Sequence, residues 1–266
     1  MFSHYRFGAV AAVIVLFAAG IFATVAYANH SWDNYHWART ANPFTLKLGD
    51  NVSTTWDVYL STASSDWSQS SVLNTTVVAG GTRARNCRPT AGRIEVCNYR
   101  YGNNGWLGLA QIWVNSSSHI TQAVAKMNDT YFNTATYNTP AWRRLVVCQE
   151  IAHGFGLDHQ DENFSNPNLG SCMDYTNDPD GPPSNEHPNQ HDYDQLETIY
   201  AHLDGATTVG QTAPRGNGNN GVENQAEWGK AIRTSSDGRP SLYARDLGGG
   251  EKVFTFVIWA DAANGN

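Results

Sequence analysis

The sequence has little charge and no long run of basic residues. Only 15% of its 266 residues are charged, and 24 Asp and Glu outnumber 17 Lys and Arg, which gives a formal net charge of −7. Because phosphate contacts require a basic face, this balance argues against nucleic acid as a partner. The composition also excludes repeat arrays, collagen-like chains and wholly disordered chains. The length and the 41% hydrophobic content indicate one main domain with an appendage.

Long apolar runs are absent after residue 26, so a membrane segment is expected only at the N-terminus. There, Arg6 precedes an unbroken apolar run over residues 7–26, and Ala26 and Ala28 supply the small side chains that a signal peptidase needs. This pattern predicts a signal peptide over residues 1–28 and a secreted protein. A run of roughly 20 residues also suits an uncleaved anchor, with the bulk of the chain outside the cell, and a membrane contact is expected only in that case.

Cysteine is scarce, with four residues in the chain. In an exported protein an even number of cysteines favours disulfides, and four allow three pairings. Cys87 and Cys97 flank a short segment that contains Gly and Pro, which favours a bridge across a hairpin. Four buried free thiols are the alternative.

Hydrophobic periodicity predicts an α+β fold. Candidate N-caps are Ser53, Thr139 with Pro140 at the first helical position, and Asp192. The segment 120–132 suits either a strand or a short helix. The expected helices cover residues 53–68, 139–155 and 193–203, and the expected strands cover 72–78, 94–101 and 107–114.

Composition divides the mature chain into three parts. Residues 29–204 form the predicted main domain, and the Gly/Asn-rich residues 205–227 form a predicted linker. Residues 228–266 contain two extended runs around three glycines, which is typical of one hairpin. A segment this short is not expected to fold alone, so the hairpin should dock on the main domain.

Candidate metal ligands cluster in residues 149–159. On a helix, Gln149 and His153 project from one face, and Glu150 lies beside them. Gly156 permits a left-handed turn that ends the helix and returns His159 toward His153. One short segment therefore offers two imidazoles and one further ligand to a metal.

The spacing of Glu150, His153 and His159, followed by Met173 and Tyr175, resembles that of the metzincin zinc peptidases, with an extended zinc-binding helix and a Met-turn. Gly-Leu-Asp-His at 156–159 and the helix pattern at 191–200 are most similar to the matrixin branch. A tyrosine two positions after the methionine is similar instead to the astacin and serralysin branches. The resemblance implies a mixed twisted sheet with an active-site helix and a C-terminal helix.

The resemblance also implies a chemistry. His153 and His159 would hold zinc, with Gln149 or Tyr175 as a third ligand. Glu150 would act as general base in peptide-bond hydrolysis by metal-activated water, and Tyr175 would stabilise the oxyanion. Met173 would pack beneath the metal.

The implied architecture makes two further predictions. The Met-turn would lie beside the active-site helix, which predicts a disulfide between Cys148 and Cys172. The strand 107–114, with Leu109 and Ala110, would form the sheet edge that docks an extended peptide or protein substrate. We expect a monomer.

Gln149 departs from the metzincin pattern, which has histidine at this position. An amide oxygen leaves the charge of the site unchanged but is a poorer zinc ligand than imidazole, so weaker zinc binding is expected. The alternative function is a pseudopeptidase that binds peptide or protein in the same cleft without cutting it.

Two other groups invite metal binding. His187 and His191 are four residues apart in a Pro/Asn-rich loop, which favours exposed caps, and they are substitute ligands if Gln149 does not bind. An acidic group could hold calcium, but it lacks the spaced loop pattern, so a solvated face is favoured. That group contains Asp158, Asp161, Glu162, Asp178 and Asp180.

Overall fold

The computed structural model describes residues 30–212 and 224–260. The predicted signal peptide at 1–28, part of the predicted linker and residues 261–266 lie outside the described residues. Within the described ranges, no helix is long and apolar enough to cross a membrane.

Nine strands and four α-helices form the part of the chain that the structure describes, which confirms the predicted α+β class. The strands are β1 (His36–Trp37), β2 (Phe44–Asn51), β3 (Leu73–Ala79), β4 (Ile94–Tyr99), β5 (Trp106–Val114), β6 (His119–Asn128), β7 (Lys230–Thr234), β8 (Pro240–Gly248) and β9 (Glu251–Trp259). The helices are α1 (Asp57–Trp67), α2 (Asp129–Phe132), α3 (Pro140–His153) and α4 (Gln190–Ile199).

The strands form one mixed sheet in the order β3-β2-β4-β6-β5-β9-β8-β7, and the short β1 pairs with β6. The pairs among β3, β2, β4 and β6 are parallel, whereas the pairs from β6 through β5, β9 and β8 to β7 are antiparallel. The ambiguous segment 120–132 contains both a strand and a short helix. The change occurs at Asn128, whose side chain accepts a hydrogen bond from the amide of Thr130 and caps α2.

Two buried tryptophans hold the helix that carries the candidate ligands. Helix α3 packs against α1, β5 and β6. Trp67 Nε1 donates to the carbonyl oxygen of Cys148 at 3.2 Å, and Trp37 Nε1 donates to that of Gly154 at 2.7 Å. Because each indole N–H finds a backbone acceptor, both rings are buried without leaving an unpaired donor, and they fix α3 relative to the sheet.

The N-terminus of α4 differs from the prediction. Asp192 is not the N-cap, because the helix begins at Gln190 and is capped by Asn189. The Asn189 side chain accepts from the amide of Asp192 at 3.2 Å, and the Asp192 carboxylate accepts from the amide of Asn189 at 2.7 Å. Asp192 therefore completes a capping box from inside the helix.

The C-terminal hairpin is present as β8 and β9, and β7 adds a third strand that the sequence analysis did not include. The hairpin docks on the main domain as expected, but it does so by extending the sheet next to β5. Strand β9 pairs along β5, with Val257 opposite Leu109 and Phe256 opposite Ala110. The expectation that 107–114 forms a sheet edge is therefore wrong. Every residue of β5 is buried, as is typical of a strand covered on both faces.

Both expected disulfides are present, and the described residues contain no free cysteine. Cys87–Cys97 joins β4 to the loop before it, and not two strands of a hairpin, because among the described strands β4 pairs only with the parallel strands β2 and β6. Cys148–Cys172 joins α3 to the segment that contains Met173.

Candidate metal centre

Helix α3 carries three buried polar side chains at its C-terminal end, where a glycine turn ends it. Gln149, Glu150 and His153 are each at most 1% exposed. Gly156 has a φ of 97°, and a Cβ there would lie 2.5 Å from the carbonyl oxygen of Tyr35, so the turn requires glycine. This turn returns the chain toward the helix.

The turn brings the two predicted histidine ligands together. His153 Nε2 lies 3.0 Å from His159 Nε2. The opposite nitrogen of each ring faces an acceptor, since His153 Nδ1 is 2.8 Å from the carbonyl oxygen of Leu157 and His159 Nδ1 is 2.7 Å from Glu162 Oε1. If each Nδ1 donates to its acceptor, the lone pairs of both Nε2 atoms point at one another. Burial and the neighbouring His159 hold the pKa of His153 well below its usual value, which favours the neutral ring.

Gln149 lies at the same end of α3, and only the nitrogen of its side-chain amide is hydrogen-bonded. Its Nε2 donates to the carbonyl oxygen of Cys172 at 2.9 Å. Its Oε1 is buried and has no hydrogen-bond partner among the described residues. A buried amide oxygen without a partner is costly, so this atom is available for a ligand.

Glu150 is buried in a space that a glycine provides. Burial raises the pKa of its carboxyl group well above the usual value, and its Oε2 has no hydrogen-bond partner in the described part of the chain. A Cβ on Gly108 of β5 would lie 2.5 Å from Glu150 Oε1 and 2.4 Å from Val146 Cγ1. The carboxyl group therefore sits against the backbone of β5.

The segment that contains Met173 and Tyr175 lies beside these residues. Met173 is fully buried, and its amide donates to Ser171 Oγ at 2.9 Å. The Tyr175 ring centroid is 4.4 Å from that of His159, and its hydroxyl donates to the carbonyl oxygen of Val257 at 3.1 Å. Burial raises the pKa of Tyr175 well above its usual value, so the phenol remains protonated. The Tyr175 hydroxyl is therefore hydrogen-bonded to the backbone of β9.

The C-terminal strands cover the candidate ligands. The Phe256 ring stacks on His153 with centroids 4.0 Å apart and an interplanar angle of 10°. Arg233 of β7 donates to both carboxylate oxygens of Asp158 and reaches Glu162 Oε1 at 3.1 Å. Strands β7 and β9 therefore do more than dock, because Arg233 and Phe256 contact the predicted site.

The acidic group is only partly solvated, which corrects the sequence-based interpretation. Asp158 is 8% exposed and Glu162 is partly buried, whereas Asp178 and Asp180 are exposed. Asp158, His159 and Glu162 each offer one ligand atom within 4.8 Å of the others. Arg233 and His159 already satisfy these carboxylates. Burial raises the pKa of Glu162, but the contacts with His159, Ser241 and Arg233 outweigh it and lower that pKa to about 2. This arrangement is an ion-pair network.

The two substitute histidines have other contacts. His187 is exposed, and its Nδ1 lies 2.7 Å from Asp66 Oδ2. His191 stacks edge-on against His30 with centroids 4.6 Å apart, and its Nδ1 is 2.7 Å from Gln160 Nε2.

Phe256 and Arg233 are the site residues that sequence reasoning missed. No motif marks them, because they come from strands that are remote in the chain from residues 149–159. The alternation of Phe254, Phe256 and Ile258 could have indicated one inward face of a strand, though not what it faces.

Compared with models of protein families and with curated proteins, the chain gives no match. The resemblance to metzincins therefore rests on the residues quoted above, and it stays a prediction.

Proposed function

We propose that the chain is a zinc-dependent peptidase whose site is covered by its own C-terminal strands. The observation that carries the proposal is the 3.0 Å approach of His153 Nε2 to His159 Nε2, with each Nδ1 facing an acceptor. Two facing lone pairs repel unless a proton or a cation lies between them.

The donor set fits Zn²⁺. In a tetrahedral site with Zn–N bonds of 2.0–2.1 Å, two ligand nitrogens are about 3.3 Å apart. Zinc-binding histidines usually donate their second ring nitrogen to a carbonyl or a carboxylate, and Leu157 and Glu162 supply these two acceptors. Gln149 Oε1, which is buried without a hydrogen-bond partner, would be the third donor. When bound, Zn²⁺ would supply Lewis acidity at the scissile carbonyl and acidify water.

Glu150 is the base in this proposal. Its carboxylate would accept the proton of the attacking water and return it to the leaving amine. Tyr175 would donate a hydrogen bond to the developing oxyanion once its hydroxyl leaves the carbonyl oxygen of Val257.

Strand β9 covers both β5 and His153, which supports an inactive resting form of the proposed peptidase. A substrate strand would need the hydrogen-bonding positions on β5 that β9 now occupies, and it would have to displace Phe256 from His153. Catalysis therefore requires β8 and β9 to move.

The pseudopeptidase is the second candidate, and one observation favours it. The Gln149 amide already has a structural partner in Cys172, so Gln149 has a role that needs no metal. The buried position of Glu150 favours the peptidase over the pseudopeptidase, because burying a carboxyl group is costly and a binding cleft has no need of a general base.

The test compares cleavage of an unstructured protein substrate by zinc-loaded full-length variants. Phe256→Ala removes the ring that covers His153, so it should cut faster than the natural chain, and Phe256→Ala with Glu150→Gln should not cut. A zinc-loaded Phe256→Ala variant that binds the substrate without cutting it would support the pseudopeptidase. Cutting that survives Glu150→Gln would contradict the role given to Glu150.

A further inference from the structure

A second group of imidazoles lies away from the candidate centre, where three segments meet. His36 belongs to β1, His119 begins β6, and His202 and Asp204 follow α4. Asp204 Oδ1 is 3.4 Å from His36 Nε2, 3.4 Å from His119 Nε2 and 3.6 Å from His202 Nε2. His36 Nε2 and His202 Nε2 are 3.1 Å apart. The ligand atoms of His36, His119 and Asp204 all lie within 4.8 Å of one another, and His202 Nε2 lies close to two of the three.

Hydrogen bonding accounts well for only one of these distances, the 3.1 Å between His36 Nε2 and His202 Nε2. An N–H···O hydrogen bond normally spans 2.7–3.2 Å, and the three contacts to Asp204 Oδ1 are all longer. In a tetrahedral zinc site with bonds near 2.0–2.1 Å, neighbouring ligand atoms are about 3.3 Å apart. Four of the six separations among these atoms, from 3.1 to 3.6 Å, fit this spacing.

The surrounding contacts orient two of the four ligands. His36 Nδ1 lies 2.8 Å from the carbonyl oxygen of Asn34, which favours the proton on Nδ1 and leaves the Nε2 lone pair free. Asp204 Oδ2 accepts from the Arg39 amide at 3.1 Å and from Arg39 Nη1 at 2.8 Å, so Oδ1 remains for a metal. Such anchoring of ligand rings and carboxylates is usual around protein metal sites.

We propose that His36, His119, His202 and Asp204 form a Zn²⁺ site of the structural kind. Once the half-exposed His202 side chain turned toward the other three ligands, three imidazoles and one carboxylate would complete a four-coordinate shell and leave no open position for a substrate. The bound ion would join β1, the start of β6 and the segment after α4, which are far apart in sequence. None of the four belongs to the centre on α3, so this site does not depend on the proposed function.

The test uses the full-length His153→Ala variant, stripped of metal and reloaded with Zn²⁺, with bound zinc measured after gel filtration. His153→Ala disables the centre on α3, so the zinc that remains reports on the second site. We expect about one zinc per chain and a melting temperature that rises on zinc addition. Adding His119→Ala and His202→Ala should abolish both effects, with zinc affinity lowered more than about 100-fold.

His187→Ala is the matched control, because the side chains of His187 and His202 are both 48% exposed and His187 lies in neither centre. It should leave zinc content and the zinc-dependent rise in melting temperature unchanged. Cobalt in place of zinc gives a second readout, since four-coordinate Co²⁺ absorbs strongly in the visible range and the hydrated ion does not. The proposal is overturned if His153→Ala binds no metal, or if His119→Ala and His202→Ala leave the bound metal unchanged. A fall from two zinc ions per chain to one on His153→Ala, by contrast, bears on the proposed function alone.

Discussion

Gly108 determines whether the Glu150 carboxyl group fits beneath β5. A Cβ at this position would lie 2.4 Å from Val146 Cγ1 and 2.5 Å from Glu150 Oε1. The carboxyl group of Glu150 ends a flexible side chain and can move away from the added Cβ. Val146 is branched at its own Cβ, so its side chain is stiff and cannot easily move. Gly108→Ala should therefore lower the free energy of unfolding by about 1–3 kcal/mol in a denaturant titration. Ala110→Gly on the same strand controls for general effects on β5, and an unchanged stability of Gly108→Ala would contradict the close packing.

Gln149, as the weakest of the proposed ligands, limits the zinc affinity of the candidate centre. Imidazole binds zinc better than an amide oxygen does, so Gln149→His should lower the zinc dissociation constant by at least about tenfold in competition with a chelator. Gln149→Leu, which has no donor atom, should raise it. Equal affinity in all three proteins would show that residue 149 is not a ligand.

At the scale of elements, Asp192 makes the N-terminus of α4 sensitive to pH. Burial raises its pKa to about 6, although hydrogen bonds from Asn189, Ser171 and Gln160 oppose the shift. A carboxyl group with a higher pKa in the folded state binds its proton more tightly there, so its contribution to stability falls as pH rises from about 4 to about 6. Relative to Asp192→Asn, the natural chain should lose up to about 3 kcal/mol over this range.

Denaturant titrations at several pH values measure this difference. Asp192→Asn also loses capping contacts, so only the change with pH is informative. His30 lies 3.4 Å from Asp192, and its pKa is lowered to about 3, mainly by burial, which gives the opposite pH dependence in both proteins. A constant difference between the two proteins from pH 4 to pH 6 would contradict the raised pKa.

The elements show how far the sequence alone could lead. Helix α3 was predictable because Thr139, Pro140 and an apolar stripe are local signals, and the glycine turn brings His159 to His153 within one segment. The cap of α4 was mispredicted because Asn189 and Asp192 are both good capping residues. Which of the two caps the helix depends on where the backbone changes from extended to helical, and the sequence does not show that point. The partner of β5 was unpredictable, since pairing with β9 joins residues remote in the sequence.

At the scale of the whole molecule, Arg233 ties the C-terminal strands to the candidate centre. It pairs with Asp158 and Glu162, and its removal would leave two partly buried carboxylates without that partner. Its side chain is 31% exposed, so Arg233→Ala should cost about 1–3 kcal/mol, below the 3–5 kcal/mol of a fully buried pair. The amides of β9 should also exchange hydrogen faster.

Arg239→Ala is the matched control, because its side chain is also 31% exposed and it pairs with Asp237 and donates to the carbonyl oxygen of Ala260, without contacting the candidate centre. It should change stability and exchange in β9 far less. Equal effects of the two substitutions would mean that Arg233 has no special role in holding the C-terminal strands.

The zinc content of the purified full-length chain, measured by elemental analysis, tests the central claim most directly. The comparison is between the natural protein, His153→Ala and the matched control His187→Ala. We predict that His153→Ala contains about one zinc per chain fewer than the natural protein, and that His187→Ala matches the natural protein. Equal zinc in the natural protein and His153→Ala would contradict a metal centre at His153 and His159, and the proposed peptidase would fail with it.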